Sequence, residues 1–233
     1  MTDARRLERT PGSRPSVAVR RRRWRLVTVL EVVVAAVAVL LDLWLPTLVL
    51  LALAGVSLLV RRRGLGSLGL RRGPRPVLAL KMLLLAAVWS VLQLGVVLPV
   101  VTRLSGDEQD LSGFGGLEGN VGMLVALLVL SWTLAAFGEE LAYRGYLFTR
   151  LREAAGDGRV GVLAGVVGSS LLFGLAHAEQ GVVGIAVVTV DAVVWSVLRI
   201  HYRTLWASIL AHGFNNTIGF VTFFLVGPVA PLW

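Results

Sequence analysis

The feature that most constrains this chain is a series of apolar runs, most of them close to the length that crosses a lipid bilayer. A transmembrane helix needs about 20 predominantly apolar residues. Only 16% of the residues are charged, whereas soluble domains average about 25%. The runs occupy approximately residues 26–41, 47–60, 77–101, 121–153, 160–177, 182–198 and 205–226. This pattern predicts an all-α fold, a polytopic transmembrane helical bundle of about seven helices.

The charged residues are distributed as in a membrane protein rather than as in a nucleic-acid-binding protein. The net charge is +9, but the arginines concentrate in the N-terminal tail and in loops such as residues 61–75. The loop at residues 106–120 is acidic instead. Basic loops stay on the cytoplasmic side, so the N-terminus is expected inside, with the lipid bilayer and no nucleic acid as partner. The composition suggests a bacterial cytoplasmic membrane, and the absence of cysteine excludes disulfides and thiol catalysis.

The chain divides into four segments. Residues 1–23 are rich in arginine and are expected to form a disordered basic cytoplasmic tail. Residues 24–120 hold the first three membrane spans, and residues 121–226 form the candidate catalytic membrane core. Residues 227–233 are a short C-terminal tail. No internal repeat is evident, although transporters are often built from repeats.

Two adjacent carboxylates and an arginine interrupt the fourth apolar run. Ionisable groups at membrane depth are costly and usually serve a site. Glu140 and Arg144 are four residues apart, so on a helix they share a face and can form an ion pair. Glu139 points about 100° away and has Tyr143, not a cation, one turn further on. A carboxylate without a partner suits a general base or acid; the alternative is a structural ion pair beside a glutamate that reaches water.

Further polar residues lie in the last three runs. Phe173 and His177 share a helix face at the end of the fifth run, and His212 and Asn216 share one on the seventh. A single intramembrane histidine is often only an interhelical hydrogen-bonding residue. Two histidines together with the glutamates predict a common site. Asp191 on the sixth run either pairs with a histidine or contacts a residue of the site without contacting the substrate itself.

The chain order predicts how far apart these groups lie along the membrane normal. Folding the fourth and fifth runs about residues 154–159 puts Glu139 level with residue 174, one turn from His177. Folding the sixth and seventh about residue 202 leaves His212 on the order of 10 Å from the level of His177, at 1.5 Å per residue. A common site therefore requires helix tilt or a helix break, with Gly174, Gly181 and Gly184 as the candidate positions.

The three motifs cover about residues 137–217. In chain order they are Glu139-Glu140-x-x-x-Arg144, Phe173-x-x-x-His177 and His212-x-x-x-Asn216. Together they resemble the CAAX-protease and bacteriocin-processing family of intramembrane endopeptidases. The first three spans resemble that family only in being hydrophobic.

This resemblance implies a role for each residue. Glu139 would activate a water molecule for attack on a peptide bond, assisted by His177. His212 and Asn216 would hold the oxyanion of the tetrahedral intermediate, and the ion pair on the fourth run would be structural. The expected substrate is a peptide or another membrane protein.

Two alternatives stay open at this point. Histidine and carboxylate side chains also suit zinc, but there is no His-Glu-x-x-His motif, so we expect no cofactor, with zinc as the alternative. The chain could also be a non-catalytic membrane protein of the same fold, either a bacteriocin-immunity factor or a transporter.

Overall fold

The structure, a computed structural model, describes residues 17–43, 45–71, 73–156 and 158–229, with side chains from residue 23 onward. The described residues are helical apart from the connecting loops, and no strand occurs among them. Their seven helices are α1 Val17–Leu40, α2 Pro46–Arg61, α3 Pro76–Ser105, α4 Val121–Ala155, α5 Arg159–Leu175, α6 Gly181–Tyr202 and α7 Leu205–Val226. The predicted all-α fold is confirmed.

Helix α1 begins earlier than the sequence analysis predicted. It starts at Val17, so residues 17–23 are helical and do not belong to a disordered tail. Arginine is a good helix former, and the basic run at residues 20–23 therefore extends the helix N-terminally. The rest of the predicted tail, residues 1–16, lies outside the described residues.

Local sequence signals account for where several helices start. Pro46 and Pro76 occupy the first turns of α2 and α3, where the missing N–H of proline breaks no helical hydrogen bond. The side chain of Asn120 caps α4 by accepting a hydrogen bond from the backbone N–H of Met123. Thr204 caps α7 in a similar way. These signals explain why the apolar runs and the helices nearly coincide.

Four helices are long and apolar enough to cross a membrane, namely α3, α4, α6 and α7. Helices α2 and α5 are apolar but shorter. Large apolar side chains point outward along the bundle; Leu59, for example, is 78% exposed and Leu104 is 84% exposed. Soluble proteins rarely expose apolar surface on this scale. The outer surface therefore suits lipid contact, and membrane crossing by α1, α2 and α5 stays a prediction.

Helix α4 lies at the centre of the bundle. Its first and middle parts pack against α7, its middle part also packs against α2, and its last turns pack against α1 and α5. Helix α7 is also covered by α3 and α6, while α5 packs along α6. The two helices with the most candidate residues, α4 and α7, are thus neighbours inside the bundle.

An ionic cluster fixes the end of the bundle where α1 begins and α4 ends. Glu31 of α1 accepts from Arg61 of α2 at 3.0 Å and lies 3.0 Å from Nε of Arg150 of α4. Arg150 also pairs with Glu153. Charge-assisted hydrogen bonds of this kind are among the stronger polar contacts. The cluster joins three helices and balances each buried arginine with a carboxylate.

Candidate active site

The stretch of α4 that carries both glutamates is wound as a π-helix from Ser131 to Leu147. The amide of Phe148 bonds the carbonyl of Tyr143, five residues back. π-helical turns are rare and occur frequently at functional sites. The helix faces deduced above for an ordinary α-helix therefore hold only approximately in this stretch.

The ion pair predicted from the spacing of Glu140 and Arg144 is present. Nη1 of Arg144 lies 3.1 Å from Oε1 of Glu140, and neither side chain is exposed. The guanidinium also lies over the ring of Phe173, 4.0 Å from its centroid. A desolvated cation over an aromatic face adds to the attraction from the carboxylate. Arg144 is thus held by one partner on α4 and by another on α5.

Glu140 has a second partner that the sequence analysis did not assign. Nδ1 of His212 on α7 lies 3.1 Å from Oε1 of Glu140. An ionised carboxylate only accepts hydrogen bonds, so Nδ1 carries the proton in this contact. Nε2, on the other side of the ring, remains available for a different partner.

The aromatic ring of Phe173 contacts several of the candidate site residues. This ring lies 4.7 Å from that of His177 and 6.1 Å, edge-on, from that of His212. The ring of Tyr143 packs edge-on at 4.9 Å. Side chains from α4, α5 and α7 therefore meet on one buried phenyl ring, which is 2% exposed.

The structure brings both histidines to one aromatic ring, since their ring centroids lie 4.7 and 6.1 Å from that of Phe173. Helix α5 ends at Leu175, immediately after Gly174, so His177 lies beyond the helix end. At Gly174 the helices α5 and α6 approach so closely that an added Cβ would overlap the side chain of Thr189. The break occurs near the first of the three positions predicted, and the ring of Phe173 spans the remaining distance between the histidines.

The imidazole of His177 is oriented by its own helix. Its Nδ1 lies 2.9 Å from the carbonyl oxygen of Phe173, one turn back. A carbonyl accepts hydrogen bonds, so Nδ1 is the protonated nitrogen. In the neutral ring Nε2 then has a free lone pair, and the half-buried position leaves it within reach of water.

Glu139 stands apart from the ion pair beside it. Its side chain is half-buried and forms no ion pair or hydrogen bond with any described residue. Its charge lies within electrostatic range of the phenol of Tyr143 on the same helix. The structure does not join Glu139 and His177 by a hydrogen bond among the described residues, so their partnership stays a prediction.

Helix α7 is held closely against α4 beside His212. An added Cβ at Gly213 would lie 2.6 Å from the indole of Trp132, so only glycine permits this approach. The indole N–H of Trp132 donates to Thr217 at 3.1 Å. On the other side, the ring of His212 stacks on Trp195 at 6.2 Å with an interplanar angle of 9°. These contacts fix the rotation of α7 and the plane of the imidazole.

Asn216 lies one turn beyond His212 on α7 and lines a cavity of about 230 Å³. The cavity lies between α3, α7 and the loop before α4, and its wall is mostly apolar. Neither histidine nor Glu139 is among the described residues that line it. The structure therefore brings the two histidines together at Phe173, whereas Asn216 faces an adjoining space.

Asp191 is buried and pairs with α3 rather than with a histidine. The indole N–H of Trp89 donates to Oδ1 at 2.7 Å, and the amide of Gln93 donates to Oδ2 at 3.0 Å. The charge of Asp191 also acts on His212. Trp89 and Gln93 were not predicted as partners of Asp191, although two polar groups four residues apart in an apolar run are a usable signal.

The described residues do not offer a metal site. No group of three or more histidine, cysteine, aspartate or glutamate side chains is arranged among them to hold an ion. These donors do not fit a zinc centre, which needs three or four protein ligands, and we derive no step through a metal.

The comparison with known families matches part of the second half of the chain. Residues 121–218 match the family described as type II CAAX prenyl endopeptidase Rce1-like. No curated protein and no solved structure matches the chain. The matched segment runs from the start of α4 into α7 and contains every residue that the sequence analysis proposed for the site. Residues 121–218 of this integral membrane protein therefore resemble the Rce1-like family of type II CAAX prenyl endopeptidases.

Proposed function

We propose that the protein is an intramembrane endopeptidase that hydrolyses a peptide bond with a water molecule activated by Glu139. The observation that carries this proposal is the meeting of His177, His212 and Arg144 on the ring of Phe173. Two imidazoles with oriented nitrogens lie next to a helix whose remaining carboxylate has no ion pair among the described residues. Such a set can move a proton and stabilise an anion within one site.

Glu139 acts as the general base in this proposal. Its half-buried carboxylate is reachable by water and is not neutralised by a described cation. The water proton passes to Glu139 as the oxygen attacks the carbonyl carbon, and Glu139 later delivers that proton to the leaving amine. His177 assists by accepting a hydrogen bond from the water at Nε2. Proton transfer of this kind contributes about 10²–10⁴-fold to a rate.

His212 and Asn216 act as donors to the oxyanion. Because Nδ1 of His212 donates to Glu140, Nε2 carries a hydrogen only when the ring is an imidazolium. The buried carboxylate of Glu140 stabilises that positive ring, which supports donation from Nε2. The amide of Asn216, one turn away, supplies the second donor. Each such donor is typically worth about 10²–10³-fold in kcat.

The substrate in this proposal is a peptide or another membrane protein. The mostly apolar cavity beside Asn216 suits an apolar segment of that substrate. We also propose a bacterial cytoplasmic membrane with the N-terminus inside. The arginines at the end where α1 begins and the acidic loop before α4 support this orientation.

The test is a cleavage assay with the full-length protein in liposomes, using membrane-anchored peptides with and without a prenylated CAAX end. In ¹⁸O-labelled water, hydrolysis places one heavy oxygen in the new carboxylate, which mass spectrometry detects. We expect Glu139→Gln and His177→Gln to lower cleavage at least about 10²-fold with unchanged thermal unfolding. The control is Glu108→Gln, an exposed carboxylate in the loop before α4.

Activity of Glu139→Gln within about tenfold of the wild type would exclude Glu139 as the base. If the wild type cleaves no peptide while these substitutions still alter a cellular phenotype, the protein is a non-catalytic member of the fold.

A further inference from the structure

A second cavity, of about 420 Å³, opens at the end of the bundle opposite the acidic loop. It is far larger than the roughly 30 Å³ that one water molecule occupies. We call it the basic cleft because arginines from three parts of the chain line it. Its wall includes Arg71, Phe148, Arg152, Arg199, Arg203 and Thr204.

Arg199 forms the floor of the basic cleft. One of its terminal nitrogens donates to the carbonyl of Leu68 and to the hydroxyl of Thr149, both at 3.3 Å. Its guanidinium lies over the ring of Phe148 at 4.2 Å. Nε of Arg199 is buried and has no hydrogen-bond partner in the part of the chain that the structure describes. A buried donor without a partner is unusual in a native protein and indicates a missing acceptor.

The basic cleft lacks the negative charge that balances other arginines at the same end. Arg61 and Arg150 pair with Glu31 and Glu153 in the ionic cluster. By contrast, no aspartate or glutamate is among the described residues that line the basic cleft. Neither Arg199 nor the two exposed arginines at its rim, Arg71 and Arg203, form an ion pair with a described carboxylate. The positive charge of Arg71, Arg199 and Arg203 is therefore left for a ligand.

The position of the basic cleft limits what that ligand is. Helix α6 ends at Tyr202 and α7 begins at Leu205, so the cleft lies at the ends of two candidate membrane spans. The ends of such spans are expected at the membrane surface. Ile200 in its wall is an apolar residue that is 39% exposed. Phospholipid phosphates lie at this depth, and basic pockets between transmembrane helices bind anionic headgroups. Arginine suits phosphate because its planar fork matches two phosphate oxygens.

We propose that the basic cleft binds one phosphate group, carried either by an anionic lipid headgroup or by free phosphate. Arg199 contacts it from below, and Arg71 and Arg203 close over it from the rim. The bound phosphate joins the loop after α2 to the turn between α6 and α7. This site is separate from the residues proposed for peptide hydrolysis.

The test uses the delipidated full-length protein in detergent. One arm adds phosphatidylglycerol or phosphatidylcholine and counts retained lipids by native mass spectrometry. The other arm adds inorganic phosphate and follows thermal unfolding. Arg199→Gln would remove the structural contacts to Leu68 and Thr149, so the variant used is Arg71→Gln with Arg203→Gln. We expect this double variant to bind at least about tenfold more weakly than the wild type.

The matched control is Arg62→Gln with Arg75→Gln. Both arginines are exposed at the same end outside the cleft, and Arg62 has the same left-handed backbone as Arg203, with φ of 50° against 54°. Weaker binding in the rim variant, with unchanged binding in the control variant, supports the proposal. If the difference appears in the lipid arm, the ligand is a lipid headgroup; if it appears in the phosphate arm, the ligand is free phosphate. Equal loss in rim and control variants, or no binding in either arm by the wild type, overturns it.

Discussion

Nδ1 of His212 lies 3.1 Å from Oε1 of Glu140, and this contact joins the central helix α4 to α7. The same oxygen lies 3.1 Å from Arg144, so one buried carboxylate holds both a guanidinium and an imidazole. Glu140 therefore does more than balance the arginine on its own helix. It keeps a proton on Nδ1 of His212 and fixes the direction in which Nε2 points.

The first prediction concerns the charge of Glu140. Glu140→Gln leaves the guanidinium of Arg144 buried without a counter-ion. Breaking a buried pair in this way typically lowers stability by about 3–5 kcal/mol. We expect a loss of that size in the free energy of unfolding, measured by denaturant titration in detergent.

The control for this prediction is Glu108→Gln, which removes one negative charge from an exposed position. We expect no change above about 0.5 kcal/mol there. A loss below about 1 kcal/mol in Glu140→Gln would show that the pair is not needed for stability.

The second prediction concerns the oxyanion donors. Asn216→Ala removes an amide donor proposed to act in the transition state, so kcat should fall about 10²–10³-fold with little change in KM. The measurement is steady-state cleavage of the best peptide from the liposome assay.

Asn215→Ala is the matched control for Asn216→Ala. Its side-chain oxygen accepts from Ser90 at 2.9 Å, which ties α7 to α3. We expect a small loss of stability and a kcat within about tenfold of the wild type. Equal losses of kcat in Asn215→Ala and Asn216→Ala would contradict a specific role for Asn216.

The third prediction concerns the close approach of α7 to α4. Gly213→Ala places a Cβ 2.6 Å from the indole of Trp132 and must displace one of the two helices. Overpacking of this kind costs about 1–3 kcal/mol. Because His212 precedes Gly213, we expect thermal stability and kcat to fall together.

Gly219→Ala provides the comparison on the same helix. An added Cβ at Gly219 has no atom within 4 Å among the described residues. Alanine is a better helix former than glycine by about 0.5–1 kcal/mol, so stability should stay equal or rise. A stable, active Gly213→Ala variant would show that α4 and α7 tolerate a wider spacing.

The fourth prediction concerns Asp191, whose two oxygens accept from Trp89 and Gln93. Asp191→Asn replaces one acceptor by an NH₂ group, so one of these buried donors loses its partner. The expected loss is about 1–3 kcal/mol in the free energy of unfolding. Asp107→Asn in the exposed loop before α4 is the control, and equal stability of the two variants would exclude a structural role for Asp191.

The fifth prediction concerns metal dependence. The proposed hydrolysis uses Glu139 and two imidazoles, and no group of three metal-ligating side chains occurs among the described residues. We expect cleavage to change less than about twofold after dialysis against EDTA or 1,10-phenanthroline, whereas chelators disable proteins that depend on a bound metal. Loss of activity that returns on adding zinc would replace this mechanism by a metal-dependent one.

The sequence by itself determined the helices and one contact of the site. Apolar runs set where helices form, since a chain in lipid must satisfy its backbone hydrogen bonds internally. Prolines and capping side chains then set several of the helix ends. Glu140 and Arg144 pair on one helix, so their spacing was sufficient to predict the contact.

Only the tertiary structure decided which helices supply partners to the remaining polar groups. The bond between Glu140 and His212 depends on how α4 and α7 are rotated and how closely Gly213 lets them approach. The pairing of Asp191 with α3 likewise joins residues about a hundred positions apart. Residue spacing fixes directions around one helix axis, whereas contacts between helices depend on crossing angles and side-chain packing that no single run encodes.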